Sequence, residues 1–257
     1  MYGLMRIDKY NAKAINGIEN HEKRKSKKSK TNPNIDYSRS KNNYDLQNVY
    51  TGTYHKRAKE VMKKYGITKP RSNAVWSCEY FFTASPEYFK DKNSVQIRQY
   101  FEKCFDWVAN KYGKDKIIAA EIHLDESTPH MHLNVVPIDE KGRLNAKGLL
   151  NNNFREQQNQ VYADIFKELG FERGTLVEES RRKHYDPYVF KCASLKIQCD
   201  ELEKKRNSNE FYKNQQMLSE MLEVLYSNPK LMKEYKKAIQ ELRELKMANL
   251  DEIEPEI

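Results

Sequence analysis

The chain has 257 residues, 38% of them hydrophobic and 32% charged, and its 46 Lys and Arg against 37 Asp and Glu give a formal net charge of +9. That length allows one good-sized domain plus an appendage, and the excess of positive charge points to a polyanionic partner. No apolar run approaches the ~18 residues that a membrane-crossing helix needs, and Cys78, Cys104, Cys192 and Cys199 lack the CxxC spacing of a zinc finger or disulfide framework.

Residues 1–8 read as a first strand with Leu4 and Arg6 on one face. Residues 11–46 are polar and rich in Asn, Ser and Lys, so mostly loop with short helical turns is expected. Residues 54–65 read as a helix ending at Gly66. Residues 74–82 are aromatic and read as a strand, with Trp76, Tyr80 and Phe82 alternating toward a core. Ser85 and Pro86 open a short helix. Ile97, Tyr100, Phe101, Cys104, Phe105 and Val108 keep the spacing of an amphipathic helix, which Gly113 stops. Residues 117–122 and 133–137 read as the strands of a hairpin. A helix from about residue 152 carries Val161, Ile165 and Leu169 and stops at Gly170.

This mixture predicts an α+β domain over residues 1–190, a central, mostly antiparallel sheet with flanking helices. A helical C-terminal extension over residues 191–257 follows. From Leu195 to Leu250 it is charged and free of glycine, with apolar residues such as Met221, Leu225 and Tyr235 at near-helical steps. Asn228 and Pro229 break it into two helices. These pack on the main domain or offer a homodimer contact, although the heptads are not sustained. The acidic end, Asp251 to Glu256, reads as a tail or a truncation point. The N-terminus lacks the apolar core of a signal peptide, so the expected setting is cytoplasmic.

Three of the six histidines, His123, His130 and His132, fall within ten residues, with Asp125, Glu126 and Pro129 among them. Strand alternation puts His130, His132 and Asn134 on one face and Met131, Leu133 and Val135 on the other. His123 points away from the face that carries Ile118, Ala120 and Ile122. If it pairs near His130, three imidazoles converge. Three neutral imidazoles with open coordination positions describe a catalytic metal site rather than a closed structural one. Zn, Mn, Fe, Co and Ni all suit them, and phosphate-directed chemistry favours Mn or Mg.

His21 precedes a dense basic run, in which six of residues 23–30 are Lys or Arg. Lys25, Lys27 and Lys28 read as a phosphate-binding patch, and Arg39 and Arg71 are further candidates for phosphate contacts. The basic run from Arg181 to Lys183 would add to a DNA-binding face. His55 and His184 have no partners in the sequence and read as surface residues. A metal that polarises a phosphodiester needs a nucleophile beside it, and imidazole can serve.

His21-x-x-Arg24, then Asn43-Tyr44-Asp45-Leu46 behind Ser38-Arg39-Ser40, then His123-x-Asp125-Glu126-x-x-Pro129-His130-x-His132 resemble, in order, three motifs of the Mob/Pre plasmid mobilisation relaxases. These belong to the histidine–hydrophobe–histidine endonuclease superfamily, and the resemblance covers roughly residues 1–190. It implies a DNA relaxase, a strand transferase that nicks one strand of supercoiled or single-stranded plasmid DNA at an origin of transfer and later rejoins it. It implies His21 as the nucleophile, held as a 5′-phosphohistidine, and His123, His130 and His132 as ligands of a divalent metal, Mn2+ or Mg2+. Glu126 would orient the nucleophile or accept its proton, and Arg24 would grip a phosphate oxygen. Tyrosine is the rival nucleophile, with Tyr44 the best candidate; otherwise Tyr44 packs beside the site or stacks on a base. Two other classes stay open: a replication initiator or transposase with a tyrosine nucleophile, and a non-catalytic origin-binding protein.

Overall fold

Five strands form one antiparallel sheet in the order β1-β3-β5-β4-β2 in this computed structural model, which describes residues 1–26, 35–47, 49–149, 154–173, 187–202 and 209–251. The strands are β1 (Gly3–Asn11), β2 (Tyr44–Asp45), β3 (Val75–Ala84), β4 (Ile117–His123) and β5 (His130–Val135). Because side chains alternate along each strand, the register writes the faces as rows across the sheet. One face carries Leu4–Thr83–His130–His123, then Arg6–Phe81–His132–Glu121, then Asp8–Glu79–Asn134–Ala119. The row between them, Met5–Phe82–Met131–Ile122–Tyr44, points to the opposite face.

That opposite face is covered by α4 (Ser94–Tyr112), whose Tyr100, Phe101, Cys104, Phe105 and Val108 pack on Tyr80, Phe82, Met131 and Leu133. Each such side chain contributes about 1.5–3 kcal/mol by leaving water. The helix begins in a capping box formed by Asn93 and Gln96 and ends at Gly113, whose φ of 95° few other residues tolerate. Ahead of it, α3 (Pro86–Lys90) is the expected short helix, but the Ser85 hydroxyl bonds to Tyr2 rather than capping it. The short α5 (Ala146–Leu149) and α6 (Phe154–Val161) follow the sheet, α6 running into a π-helical turn at Tyr162–Phe166.

The polar face is only partly covered. Two helices, α1 (Ile15–Glu22) and α2 (Tyr54–Lys64), share a second core of Ile15, Tyr54, Ala58, Val61, Trp76, Ile118 and Ala119. A register shift between Ile117 and Ala119 corrects the expected alternation of β4. Ile117, not Ile118, joins Ala120 and Ile122 in the α4 core, and Ile118 turns toward α2. The second correction matters more. Where mostly loop with short helical turns was expected, α1 is an eight-residue helix whose inner residues are Ile15, Glu19 and Glu22. Two of its three buried positions are acids, so no apolar period announces it.

The chain divides into two compact units, the first formed by residues 1–29 and 34–175, the second by residues 30–33 and 176–257. In the second, α7 (Pro187–Leu202), α8 (Asn209–Tyr226) and α9 (Pro229–Asp251) enclose Val189, Cys192, Leu218, Met221, Leu225, Tyr235 and Ala238. Where two helices were expected from residue 195, these three stand, and α9 starts at the predicted Pro229. All four cysteines are buried and none is in a disulfide. No described helix is long and apolar enough to cross a membrane.

Candidate active site

The β4–β5 hairpin places His123 directly opposite His130. The rings of His123, His130 and His132 stand 4.8–5.0 Å apart, centre to centre. Each ring has one nitrogen committed to an acceptor. His123 Nε2 donates to the Glu22 carbonyl at 2.9 Å, His130 Nδ1 to the Thr128 carbonyl at 2.9 Å, and His132 Nδ1 to the Glu79 carboxylate. Those acceptors fix the tautomers. They leave three bare nitrogens, His123 Nδ1, His130 Nε2 and His132 Nε2.

Two observations say what the bare nitrogens are for. His123 Nδ1 and His130 Nε2 lie 3.1 Å apart, with no proton between them in these tautomers. Two nitrogens bound about 2.1 Å from one cation stand at roughly that separation. His132 Nε2 is buried and meets no hydrogen-bond partner among the described residues, a cost of about 1–3 kcal/mol unless something binds it. The donor set therefore fits a divalent cation. Glu126 completes it: its Oε1 lies 3.9 Å from His123 Nδ1 and 3.7 Å from His130 Nε2. The expected role for Glu126 was to serve the nucleophile; its carboxylate stands beside the His123 and His130 nitrogens, and its charge also acts on His21.

His21 comes from α1. Its ring centre is 6.0 Å from that of His123 and 5.8 Å from that of His132, and a nitrogen of each of the three rings lies within 4.8 Å of the others. The helix is pinned by its own acids. Glu22 is buried, accepting the Tyr54 hydroxyl at 2.8 Å and the Asn134 amide at 2.9 and 3.1 Å. Glu19 accepts Lys25 Nζ and the Tyr54 backbone N–H. Burial, and then the nearby Arg24 charge, lower the pKa of His21, which keeps the imidazole neutral with a lone pair to offer.

Arg24 holds the most crowded position. With φ at 50° it is the one non-glycine residue of left-handed backbone among those described, and it turns the chain back over the site at the end of α1. Nε and Nη2 form a fork on Asp125 at 2.9 and 2.8 Å, Nη2 also reaches Glu126 at 2.6 Å, and Nη1 donates to the His21 carbonyl at 3.0 Å. So engaged, the residue expected to grip a phosphate braces His21, the turn and Glu126. Asp125 also accepts Ser40 Oγ at 2.5 Å. Burial raises its pKa, but the bonds from Arg24 and Ser40 outweigh that and hold the carboxyl below its usual range.

The other predicted residues scatter. Lys25 is tied to Glu19. Arg39 donates to the Leu124 carbonyl and so anchors the hairpin turn. Arg71 is exposed in the loop between α2 and β3. Lys27, Lys28, His184 and the basic run around it lie outside the described residues. His55 is not a plain surface group: it stacks on Trp76 with ring centres 4.9 Å apart. Tyr44 pairs with Ile122 on the face away from the histidines, under Arg98, with a buried hydroxyl that has no partner among the described residues. We predict that Tyr44→Phe keeps full activity and equal or higher thermal stability, since it removes an unsatisfied polar group; activity lost with the fold intact would return Tyr44 to the chemistry.

Sequence reasoning missed Glu22, Glu79 and Tyr10. Tyr10 hydrogen-bonds Glu79, which holds His132. Their signal was there: Glu79 is an acid inside an aromatic strand, on the face opposite Tyr80 and Phe82.

The buried histidines predict a pH dependence. Burial, reinforced by neighbouring imidazoles for His123 and His132, lowers the pKa values of His123, His130 and His132. The unfolded chain therefore binds more protons below the ordinary histidine pKa of about 6.5. Stability is complete above that pH and falls as the solution is acidified, by up to about 1.4 kcal/mol per pH unit for each group. Melting temperatures in chelator should drop from pH 7.5 to pH 5.5. A flat profile would mean that these rings are not held neutral.

Comparison with known proteins places this geometry. The plasmid recombination enzyme family matches residues 1–192. The plasmid recombination enzyme of Bacillus thuringiensis is 36% identical over 192 residues, 74% of this chain and 42% of that protein. A plasmid recombination enzyme type 2 of Staphylococcus aureus strain Mu50 is 34% identical over 205 residues, 79% of this chain and 48% of the relative. The chain thus spans less than half the length of these relatives. Among solved structures, a manganese-bound MobM relaxase domain with 22 nucleotides of plasmid pMV158 oriT DNA and a 3′ thiophosphate aligns with a TM-score of 0.67 and 31% identity, over 75% of this chain and 99% of that one. A second complex of that domain, at pH 5.5, gives 0.64 and 31%, over 72% and 96%. With the family matching from its first residue to beyond the histidine hairpin, this chain belongs to the plasmid recombination enzyme (Mob/Pre) family.

Proposed function

We propose that this chain is the nicking part of a plasmid mobilisation enzyme, a relaxase that cuts one strand at a plasmid origin of transfer, keeps the 5′ phosphate on His21, and rejoins the strand. The observation that carries this reading is a neutral imidazole set against the rings of His123 and His132, in a cluster where His123 Nδ1 stands 3.1 Å from His130 Nε2. The related MobM domain is bound to oriT DNA with manganese, which supports the same substrate class here.

His123, His130 and His132 would hold the cation, with Glu126 beside them. Three imidazoles suit manganese better than magnesium, which prefers oxygen ligands. A divalent cation bound there supplies Lewis-acid withdrawal of charge from the non-bridging oxygens of a phosphodiester. His21 attacks phosphorus in line, so that an N–P bond forms as the bond to the 3′ oxygen breaks. The 3′ oxygen takes a proton from water, and the phosphorylated ring gives up its own ring proton. The phosphoramidate conserves the bond energy, so a 3′ hydroxyl can reverse the step without ATP. Arg24 keeps His21 in place through its carbonyl, and α1 keeps it there through Glu22. We place this reaction in the cytoplasm, where the four thiols stay reduced.

The alternative with a tyrosine nucleophile has less support, because Tyr44 faces away and Tyr10 is bonded to Glu79, with burial and that carboxylate raising its pKa. Incubation with Mn2+ and a labelled origin strand tests the proposal. It predicts a denaturant-resistant, acid-labile adduct, whereas an acid-stable adduct would give the nucleophile to tyrosine. A strand that binds and never couples would leave an origin-binding protein.

A further inference from the structure

The polar face of the sheet does not end at the histidines. Its rows continue outward across β3 to the edge strand, from His130 to Thr83 and Leu4, and from His132 to Phe81 and Arg6. The residues packed in the α1 and α2 core lie toward the other end of this face, at Trp76, Ile118 and Ala119. The outer corner is open. Leu4 is 47% exposed, and Phe81 is partly exposed between buried Tyr80 and Phe82. These apolar side chains stand in water beside the polar site, while the other face of the sheet is largely packed under α4.

Phe81 is placed to be used. Its ring centre is 5.1 Å from that of His130 and 5.2 Å from that of His132, and the Arg6 guanidinium lies over the ring, its carbon 4.5 Å from the centre. Arg6 pairs with Asp8 at 3.4 Å, and both side chains are 47% exposed, an ion pair weak enough for a phosphate to displace. A planar cation stacked over an aromatic ring, in register with two ligand histidines, matches what unpaired bases and their phosphates bind.

We propose that Phe81 and the Arg6 guanidinium stacked over it form a platform for a base of single-stranded DNA next to the scissile phosphate, Phe81 backing the stack and Arg6 adding the phosphate contact. The occupant is single-stranded because a duplex hides its base faces. Continuity with the histidine cluster and the chain's +9 charge favour it over an apolar protein partner. The subsite rests on the DNA-nicking reading but reads out separately from it.

The test compares affinity for a fluorescent twelve-nucleotide oligothymidylate with affinity for the same backbone made wholly abasic, at low salt. Wild type should prefer the strand with bases. Phe81→Leu should cut that preference roughly 5- to 100-fold, and Phe81→Trp should restore it. Arg6→Gln should weaken both strands and lower the salt dependence by about one counterion. Manganese affinity, read by calorimetry, should not change in Phe81→Leu. An unchanged base preference, no preference in wild type, or a preference lost together with the metal overturns the subsite. Failure of wild type to couple covalently to origin DNA overturns the nicking reading instead and leaves the base preference to stand or fall alone.

Discussion

Replacing His21 with alanine should cut covalent capture of origin DNA at least about 1,000-fold, equivalent to about 4 kcal/mol of lost transition-state stabilisation. The loss should come without loss of metal, because the three hairpin histidines and Glu126 form their cluster without the His21 side chain. The fold should also hold. Glu19 and Glu22 anchor α1, not His21, so the melting temperature should move little. Adduct formation on a denaturing gel, manganese binding by calorimetry and a thermal melt separate the three effects. An adduct that persists in His21→Ala ends the histidine mechanism; loss of adduct and manganese together would make His21 a ligand.

The second large effect is expected at Arg24 and Asp125. Asp125 is completely buried and the Arg24 side chain is 7% exposed, so removal of either partner leaves a charge stranded out of water. Asp125→Ala should therefore cost about 3–5 kcal/mol. Glu126 still faces the guanidinium at 2.6 Å, which favours the lower end. For a unit of this size, about 3 kcal/mol lowers the melting temperature by roughly 6–12 °C. Nicking should fall further than stability accounts for, since Arg24 also holds the His21 carbonyl and Glu126. A double-mutant cycle with Arg24→Ala measures the coupling. Additive losses would show that the two side chains act independently and that Arg24 is available to a phosphate after all.

The pair also explains why a motif of the form His-x-x-Arg is informative yet incomplete in isolation. Three residues along a helix end, an arginine looks free to meet substrate. Only the fold discloses that Asp125, a hundred residues away in sequence, receives it. An arginine fork satisfied twice by a buried carboxylate is a structural tie, and the left-handed backbone at Arg24 is what turns it there.

The sequence by itself determined the parts whose physics is local. Period-two alternation put His130, His132 and Asn134 on one face and Met131, Leu133 and Val135 on the other, because successive strand residues have no other choice. Apolar spacing announced α4, and Gly113 marked its end. The strand order was not local, nor were the residues it brings together: Glu79 on His132, Glu22 on Asn134, Asp125 on Arg24. The helix that carries His21 was hidden for the same reason. Two of its three inner residues are acids, which are held by partners on α2 and β5. A buried charge has meaning only beside the group that neutralises or hydrogen-bonds it, and that group is chosen by the tertiary fold.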